Sequence, residues 1–218
     1  MKQYVVIGLG NFGASVARTL VEKGYNVLAI DTDSEKVQML ANVVTHAVEA
    51  DATDEESLRT IGVRNFDVAI ISIGNNVHAN VLATLILKEL GVPYVIVKAH
   101  DRLHGNLLTK VGADRVVYPE RDMGIRIAHN LISSNVLDYL EFSPEYSIIE
   151  LPVPVDMVGK TLTELNIRSK YNINIVAVKR GKEINITMRA DESFQQGDIM
   201  VAFGSNEDLK VLENSVDF

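Results

Sequence analysis

The chain has 218 residues, of which 47% are hydrophobic and 23% are charged, with a formal net charge of -8 and no cysteine. This composition is typical of a folded globular protein with room for one domain and a smaller second one. The acidic balance and the lack of a basic cluster disfavour DNA or RNA binding. Without cysteine the chain forms no disulfide and no thiolate metal site, which fits a reducing compartment.

The sequence predicts neither membrane insertion nor export. Its most apolar helical segment spans residues 81–90, whereas a helix that crosses a bilayer needs ~20 apolar residues. Met1, Lys2 and Gln3 lead directly into a strand pattern, so we expect no secretory signal peptide. If the protein acts at a membrane, we expect it to do so by docking on a partner that spans the membrane.

The first half of the chain alternates short runs rich in Val and Ile with longer amphipathic segments. Such runs are typical of strands covered on both faces, and their alternation with helices predicts βαβ units and a parallel sheet. We predict a six-stranded, doubly wound α/β domain of the Rossmann type over residues 1–118. Its predicted strands are residues 4–9, 26–31, 46–51, 66–73, 94–99 and 114–119.

The pattern changes after Pro119. Residues 120–142 predict one long helix with a break near Ser133 and Ser134, so residues 119–142 form the predicted connector. From the residues alone, this helix either folds back on its own sheet or crosses to a partner subunit. Four strand patterns and two short helices then predict a small α+β lobe over residues 143–218, with a tight turn at Gly181.

A glycine-rich loop, G-x-G-x-x-G, follows the first predicted strand and opens the first helix. Gly8 permits the tight turn, Gly10 lets the backbone approach a pyrophosphate, and Gly13 allows close helix–strand packing. The helix start offers N–H groups to phosphates. Asp31 ends the next strand, at the position where a carboxylate can bind ribose hydroxyls. Its presence there disfavours the alternative that the glycine loop is only a turn that binds no ligand. The candidate loop contacts are Gly8, Leu9, Gly10, Asn11, Phe12 and Gly13.

Further strand ends meet at the same crevice, because ligands of parallel sheets lie beyond the carboxyl ends of the strands. The Asp31 carboxylate repels a 2′-phosphate and so disfavours NADPH. Asp51 either binds the ligand or serves only turn chemistry, and Lys98 either contacts phosphate or faces solvent. The candidate contacts here are Asp31, Thr32, Asp51, Ala52, Thr53, Ser72, Ile73, Gly74 and Lys98. Helix N-caps are expected at Asp33, Asp54 and either Asn75 or Asn76.

The sequence carries no recognisable catalytic constellation. Its five histidines have no metal-binding spacing, and His46, at the start of a predicted buried strand, is interpreted as structural. There is no G-x-S-x-G, H-E-x-x-H or P-loop lysine. We therefore predict nucleotide binding without turnover, with no catalytic residue. The alternatives are a small NAD-dependent oxidoreductase and an NADH-binding redox sensor that binds DNA, which the acidic balance disfavours.

The segments IGLGNFG, EADATDE, KVGADRVVYPERDMG and NVLDYLEFSPEYSIIE together resemble the KtrA/TrkA family of regulatory subunits, closest to KtrA. These are soluble RCK-domain proteins that gate bacterial potassium transporters. The tail VGKTLTELNIRSKYNINIVAVKRGKE resembles their C-terminal lobe, so the resemblance covers nearly the whole chain. It implies ATP, ADP or NAD(H) as ligands, with Asp31 on the ribose and Asp51 near the adenine.

The same resemblance implies roles at subunit interfaces. Glu120 would lie near the terminal phosphate across a dimer interface, with a divalent or monovalent cation. The connector helix would cross between subunits, and homodimers would assemble into an octameric ring at the inner face of the membrane, under a KtrB/TrkH-like potassium-translocating subunit. Arg168 and Asn174 match positions that bind cyclic di-AMP in some members, or are ordinary surface residues. Asn11 departs from the family, in which many members carry arginine there.

Overall fold

A computed structural model describes residues 2–74, 76–132 and 136–214, and the chain divides into two compact units, Met1–Arg121 and Asp122–Phe218. Strands and helices alternate through the first unit. In chain order they are β1 (Gln3–Ile7), α1 (Asn11–Glu22), β2 (Asn26–Asp31), α2 (Ser34–Leu40), β3 (His46–Glu49), α3 (Glu55–Ile61), β4 (Val68–Ile71), α4 (Val77–Glu89), β5 (Tyr94–Lys98), α5 (Arg102–Val111) and β6 (Arg115–Val117). The next helix, α6 (Pro119–Ile132), begins in the first unit and ends in the second.

The six strands form one parallel sheet in the order β3-β2-β1-β4-β5-β6, which confirms the predicted doubly wound fold. Its centre is apolar on both faces, and Val5, Val6 and Ile71 are completely buried. Burial of side chains of this size contributes about 1.5–3 kcal/mol each to the free energy of folding. The strand order reverses between β1 and β4, so the connections that leave these two strands diverge and open a crevice at the carboxyl edge.

The edge strand β3 corrects one expectation. Among the described strands, only β2 pairs with this strand in the sheet, and its residues are only partly covered. His46 is exposed, so the expectation that it begins a buried strand is wrong. The predicted N-caps are confirmed at Asp33, Asp54 and Asn76, whose side chains accept hydrogen bonds from backbone N–H groups in the first turns of α2, α3 and α4. The alternative cap, Asn75, lies outside the described residues.

After α6, the elements of the second unit are β7 (Asp138–Glu141), β8 (Tyr146–Pro152), α7 (Leu162–Leu165), α8 (Ile167–Tyr171), β9 (Asn174–Arg180), β10 (Glu183–Asn185), β11 (Ile199–Ser205) and α9 (Asn206–Asn214). The strands form an antiparallel sheet in the order β10-β9-β11-β8-β7. The core of this unit includes Leu151, Ile173, Met200 and Leu212, all completely buried. Gly181 has φ +60° in the turn between β9 and β10.

The predicted connector helix over residues 120–142 is wrong in its second half. The helix α6 ends at Ile132, and residues 138–141 form β7. β7 pairs antiparallel with β8, with Tyr139 opposite Ile149, and the Tyr139 hydroxyl accepts a hydrogen bond from Ser147. Pairing with β8, which follows in the chain, outweighs the helical spacing of the apolar residues. The predicted break at Ser133 and Ser134 lies outside the described residues.

None of the helices in the described part of the chain combines the length and the hydropathy that are needed to cross a membrane.

Candidate functional site

Two glycines of the loop after β1 are required by packing, and the third leaves open space. A Cβ at Gly8, which has φ +88°, would lie 2.6 Å from the backbone of Ser72, and one at Gly13 would lie 1.9 Å from the Gly8 carbonyl oxygen. A Cβ at Gly10 would meet no atom of the described residues within 4 Å. Gly10 also precedes α1, and none of the side chains that the structure describes caps that helix. The free N–H groups at the start of α1 therefore face a space that an anionic ligand can enter.

Asp31 ties the glycine loop to the start of α2. Its Oδ2 accepts a hydrogen bond from the Leu9 N–H at 2.6 Å, and its Oδ1 accepts one from the Asp33 N–H at 2.9 Å. Its side chain is 10% exposed, and the Lys36 ammonium lies 3.9 Å from Oδ1. The residue that the sequence predicts as a ribose ligand therefore also holds the glycine loop in place. Leu9 itself is buried and contributes its backbone amide.

The end of β3 forms a tight turn. The backbone N–H and the hydroxyl of Thr53 both donate to Asp51 Oδ1, each at 2.8 Å. The turn chemistry foreseen for Asp51 is thus present. The same two side chains line the crevice, with Ala52 buried between them.

Lys98 and Glu120 form an ion pair between the end of β5 and the start of α6. The Lys98 side chain is only 13% exposed, so the alternative of a solvent-facing lysine is wrong, whereas Glu120 is 68% exposed. The hydrogen bond from Lys98 lowers the pKa of the Glu120 carboxyl. A largely covered lysine side chain that lines the crevice is suited to an anionic ligand group.

These strand ends enclose one cavity of about 640 Å³. Apart from Leu9, in the buried loop backbone, and Gly13, packed against Gly8, all the predicted cofactor-binding residues line it. They are Gly8, Gly10, Asn11, Phe12, Asp31, Thr32, Asp51, Ala52, Thr53, Ser72, Ile73, Gly74, Lys98 and Glu120. Six further residues line the cavity that the predicted site did not include: Ile7, Lys36, Ala50, Asn76, His78 and Ala79. Lys36, His78 and Ala79 lie in the first turn of α2 or α4, and Asn76 was expected only as a helix N-cap.

The two remaining predicted site residues lie in the second unit. Arg168 is an exposed residue of α8, and Asn174 is the exposed first residue of β9. For the predicted cation, no group of three or more histidine, aspartate or glutamate side chains converges within the described residues. Glu120 is thus a single carboxylate that is already paired with Lys98.

The fold and the site define a two-domain protein with a Rossmann-type ligand cavity in its first domain. Residues 4–119 match the TrkA-N domain and residues 147–217 match the TrkA-C domain. The chain is 50% identical over 215 residues to Ktr system potassium uptake protein C of Bacillus subtilis, covering 99% of this chain and 97% of that protein. It is 43% identical over 213 residues to Ktr system potassium uptake protein A of the same organism, covering 98% and 96%. The chain therefore belongs to the Ktr/TrkA family of potassium uptake proteins, as the resemblance predicted.

Two solved structures extend the comparison of the fold. The GsuK channel superposes with a TM-score of 0.72 at 20% identity, covering 100% of this chain and 40% of that one. A structure of GsuK bound to ADP superposes with a TM-score of 0.52 at 26% identity, covering 61% of this chain and 34% of that one.

Proposed function

We propose that the protein is a cytoplasmic regulatory subunit that binds an adenine nucleotide in the β1–β4 crevice and gates a membrane potassium-translocating subunit. The observation that carries the proposal is the open space at Gly10, in front of an uncapped helix start and beside the Asp31 carboxylate. That arrangement fits a pyrophosphate with a ribose next to it. The ADP complex of a 26% identical channel protein supports the same ligand class.

The nucleotide lies across the sheet in this proposal. Asp31 accepts hydrogen bonds from the ribose hydroxyls, Asp51 lies near the adenine, and the N–H groups at the start of α1 bind the first phosphates. Lys98, at the end of β5, meets the terminal phosphate of ADP or ATP. NAD(H) fits the ribose and pyrophosphate positions equally, because they are common to both ligands.

Glu120 is the residue that responds to the terminal phosphate. A carboxylate beside phosphates is unfavourable unless a cation lies between them, and a bound divalent or monovalent cation would supply that charge. Glu120 is the residue of this chain that would hold such a cation beside the terminal phosphate. Asn11 offers a neutral amide where many family members have arginine, and this weakens discrimination for a third phosphate.

Binding is converted into movement when two conformations have different affinities for the ligand. We propose that homodimers assemble into an octameric ring and that α6 is the connector between subunits. A nucleotide that bridges two subunits through Glu120 stabilises one dimer angle, and a nucleotide without that bridge stabilises another. The ring then acts on a KtrB/TrkH-like partner in the membrane.

Potassium flux tests the regulatory role. The protein is added to proteoliposomes that contain a Ktr membrane subunit, and rubidium uptake is measured with ATP, with ADP and with no nucleotide. Uptake should depend on the nucleotide, and Asp31→Ala should abolish that dependence. Asp67→Ala is the matched control, because it removes a carboxylate that holds the other end of β1, at the Gln3 N–H. Equal uptake under all conditions would refute gating.

The competing enzyme function has a simple test. A small NAD-dependent oxidoreductase would sustain absorbance change at 340 nm with NADH or NAD and a panel of hydroxy acids and alcohols. We expect none, because relatives at 50% and 43% identity are potassium uptake proteins.

The second unit is proposed to bind cyclic di-AMP through Arg168 and Asn174. The exposed guanidinium of Arg168 is suited to a phosphodiester, and Asn174 offers an amide. Titration with cyclic di-AMP should give binding that Arg168→Ala removes. Arg189→Ala, which removes another exposed arginine, should leave it unchanged.

A further inference from the structure

A buried asparagine holds the backbone of Lys98 from behind the cavity. Asn80 lies on α4 and is completely buried, and its Nδ2 donates to the Lys98 carbonyl oxygen at 2.9 Å. Its Oδ1 has no hydrogen-bond partner among the described residues. Burying an amide with one unsatisfied oxygen costs free energy, of the order of 1–3 kcal/mol. Within the described part of the chain, the Asn80 side chain makes a single hydrogen bond, and it goes to the residue that carries the cavity ammonium.

Hydrogen bonds also fix His100, two residues after Lys98. The His100 N–H donates to His104 Nδ1 at 3.4 Å, and His100 Nε2 donates to the Gly74 carbonyl oxygen at 2.6 Å. His104 is buried on α5, and burial lowers its pKa, so the ring is neutral near pH 7 and Nδ1 can accept. Residues 98–100 are thus fixed to α4, to α5 and to the segment after β4.

We propose that Asn80 is a positioning residue of the nucleotide site, which acts by fixing the Lys98 backbone so that its ammonium meets the terminal phosphate. This inference rests on the proposed function and adds a residue to it that does not line the cavity. The lysine side chain has many rotamers and points from a strand end, so the place of its ammonium depends on the backbone below it. Asn80 contacts that backbone directly.

The chain contains a matched control one helical turn away. Thr84 is also completely buried on α4, and its hydroxyl donates to the Asn80 carbonyl oxygen at 2.7 Å. Thr84→Val removes a buried hydrogen bond at nearly constant volume without touching β5. A general loss of packing or stability should appear in both variants, whereas a positioning effect should appear only at Asn80.

The test measures ADP and adenosine binding by calorimetry on the full chain. Asn80→Ala should weaken ADP about tenfold, a size expected for a misplaced binding group, and leave adenosine, which has no phosphate, unchanged. Thr84→Val should bind both ligands like the unsubstituted protein. In a Lys98→Met background, Asn80→Ala should cause no further loss, because its effect passes through Lys98. Asn80→Ser, whose hydroxyl is too short to reach the Lys98 carbonyl, replaces Asn80→Ala if that variant does not fold.

Three results would overturn the inference while leaving the proposed function intact: unchanged ADP affinity in a folded Asn80 variant, an equal loss for adenosine, or an additive loss in the Lys98→Met background. Failure of the unsubstituted protein to bind ADP would instead overturn the proposed function, and this inference with it.

Discussion

The Asp31 carboxylate accepts a 2.6 Å hydrogen bond from the backbone amide of Leu9, so the end of β2 fixes the loop that follows β1. The same carboxylate also accepts a hydrogen bond from the Asp33 N–H. One side chain therefore stabilises the loop and also lines the cavity, so under the proposed function substitutions at Asp31 should change both stability and nucleotide affinity.

Asp31→Ala should lower the free energy of unfolding by about 3 kcal/mol, because two charge-assisted hydrogen bonds to a largely buried carboxylate are lost. Asp67→Ala, which loses one exposed bond, should cost about 1 kcal/mol or less. Urea unfolding followed by circular dichroism measures both. Equal stability of the two variants would show that Asp31 does not support the loop.

Substitutions of Gly10 and Gly13 should separate an effect on ADP binding from an effect on the free energy of unfolding. Gly10→Ala adds a methyl group in open space at φ −67°, so its free energy of unfolding should stay within about 1 kcal/mol of the unsubstituted protein. ADP binding should weaken at least about tenfold, since the methyl group stands where the pyrophosphate approaches. Gly13→Ala drives a Cβ into the Gly8 carbonyl and should cost about 3 kcal/mol. Thermal unfolding with and without ADP measures both effects, and normal ADP stabilisation of Gly10→Ala would place the ligand elsewhere.

The effect of Glu120→Gln on ADP binding should depend on whether a divalent cation is present. In EDTA the variant should bind ADP about threefold more tightly, because Lys98 is released from its ion pair with the exposed Glu120 carboxylate and a negative charge is removed. With Mg²⁺, the unsubstituted protein should gain more affinity than the variant. Glu89→Gln, at the far end of α4, is the control. Identical Mg²⁺ dependence in all three proteins would contradict a cation at Glu120.

Acidification should destabilise the first unit through His104. Burial, followed by the nearby positive charge of His100, lowers the pKa of His104 below its usual 6.5, with Asp101 opposing the change. The unfolded chain then takes up the proton first, so the stabilisation is complete above pH 6.5 and is lost as the pH falls below it. Urea unfolding at pH 7.5 and 5.5 should show a smaller pH dependence in His104→Gln than in the control His46→Gln, whose histidine is exposed. An equal pH dependence would contradict the assignment.

The sequence predicts the first unit well because each element depends on local information. Its strands are apolar runs, its helices begin at capping residues such as Asp33 and Asp54, and several end at glycines with positive φ, such as Gly62 and Gly112. β7 was missed because its pairing with β8 is set by the antiparallel sheet and not by its own spacing. The five-residue helix α8, which follows Asn166 at φ +46°, is too short for a periodic signal.

The sequence predicts the site residues whose position is fixed by the backbone of a motif. It does not predict the residues that line the cavity only through the direction of their side chains. Gly8 and Asp31 stand at positions that the strand–loop–helix geometry defines. Lys36 and His78 line the cavity because of the direction of their helices, which spacing does not give. Asn80 lies inside an apolar helical run, where the sequence alone does not distinguish a buried amide from an exposed one.

The most direct test of nucleotide sensing is a calorimetric titration of the purified protein with ATP, ADP and NADH. We expect saturable binding of at least one of these ligands, lost in Gly10→Ala although that variant remains folded. Absence of heat with all three, or undiminished binding by Gly10→Ala, would contradict a nucleotide in the β1–β4 crevice.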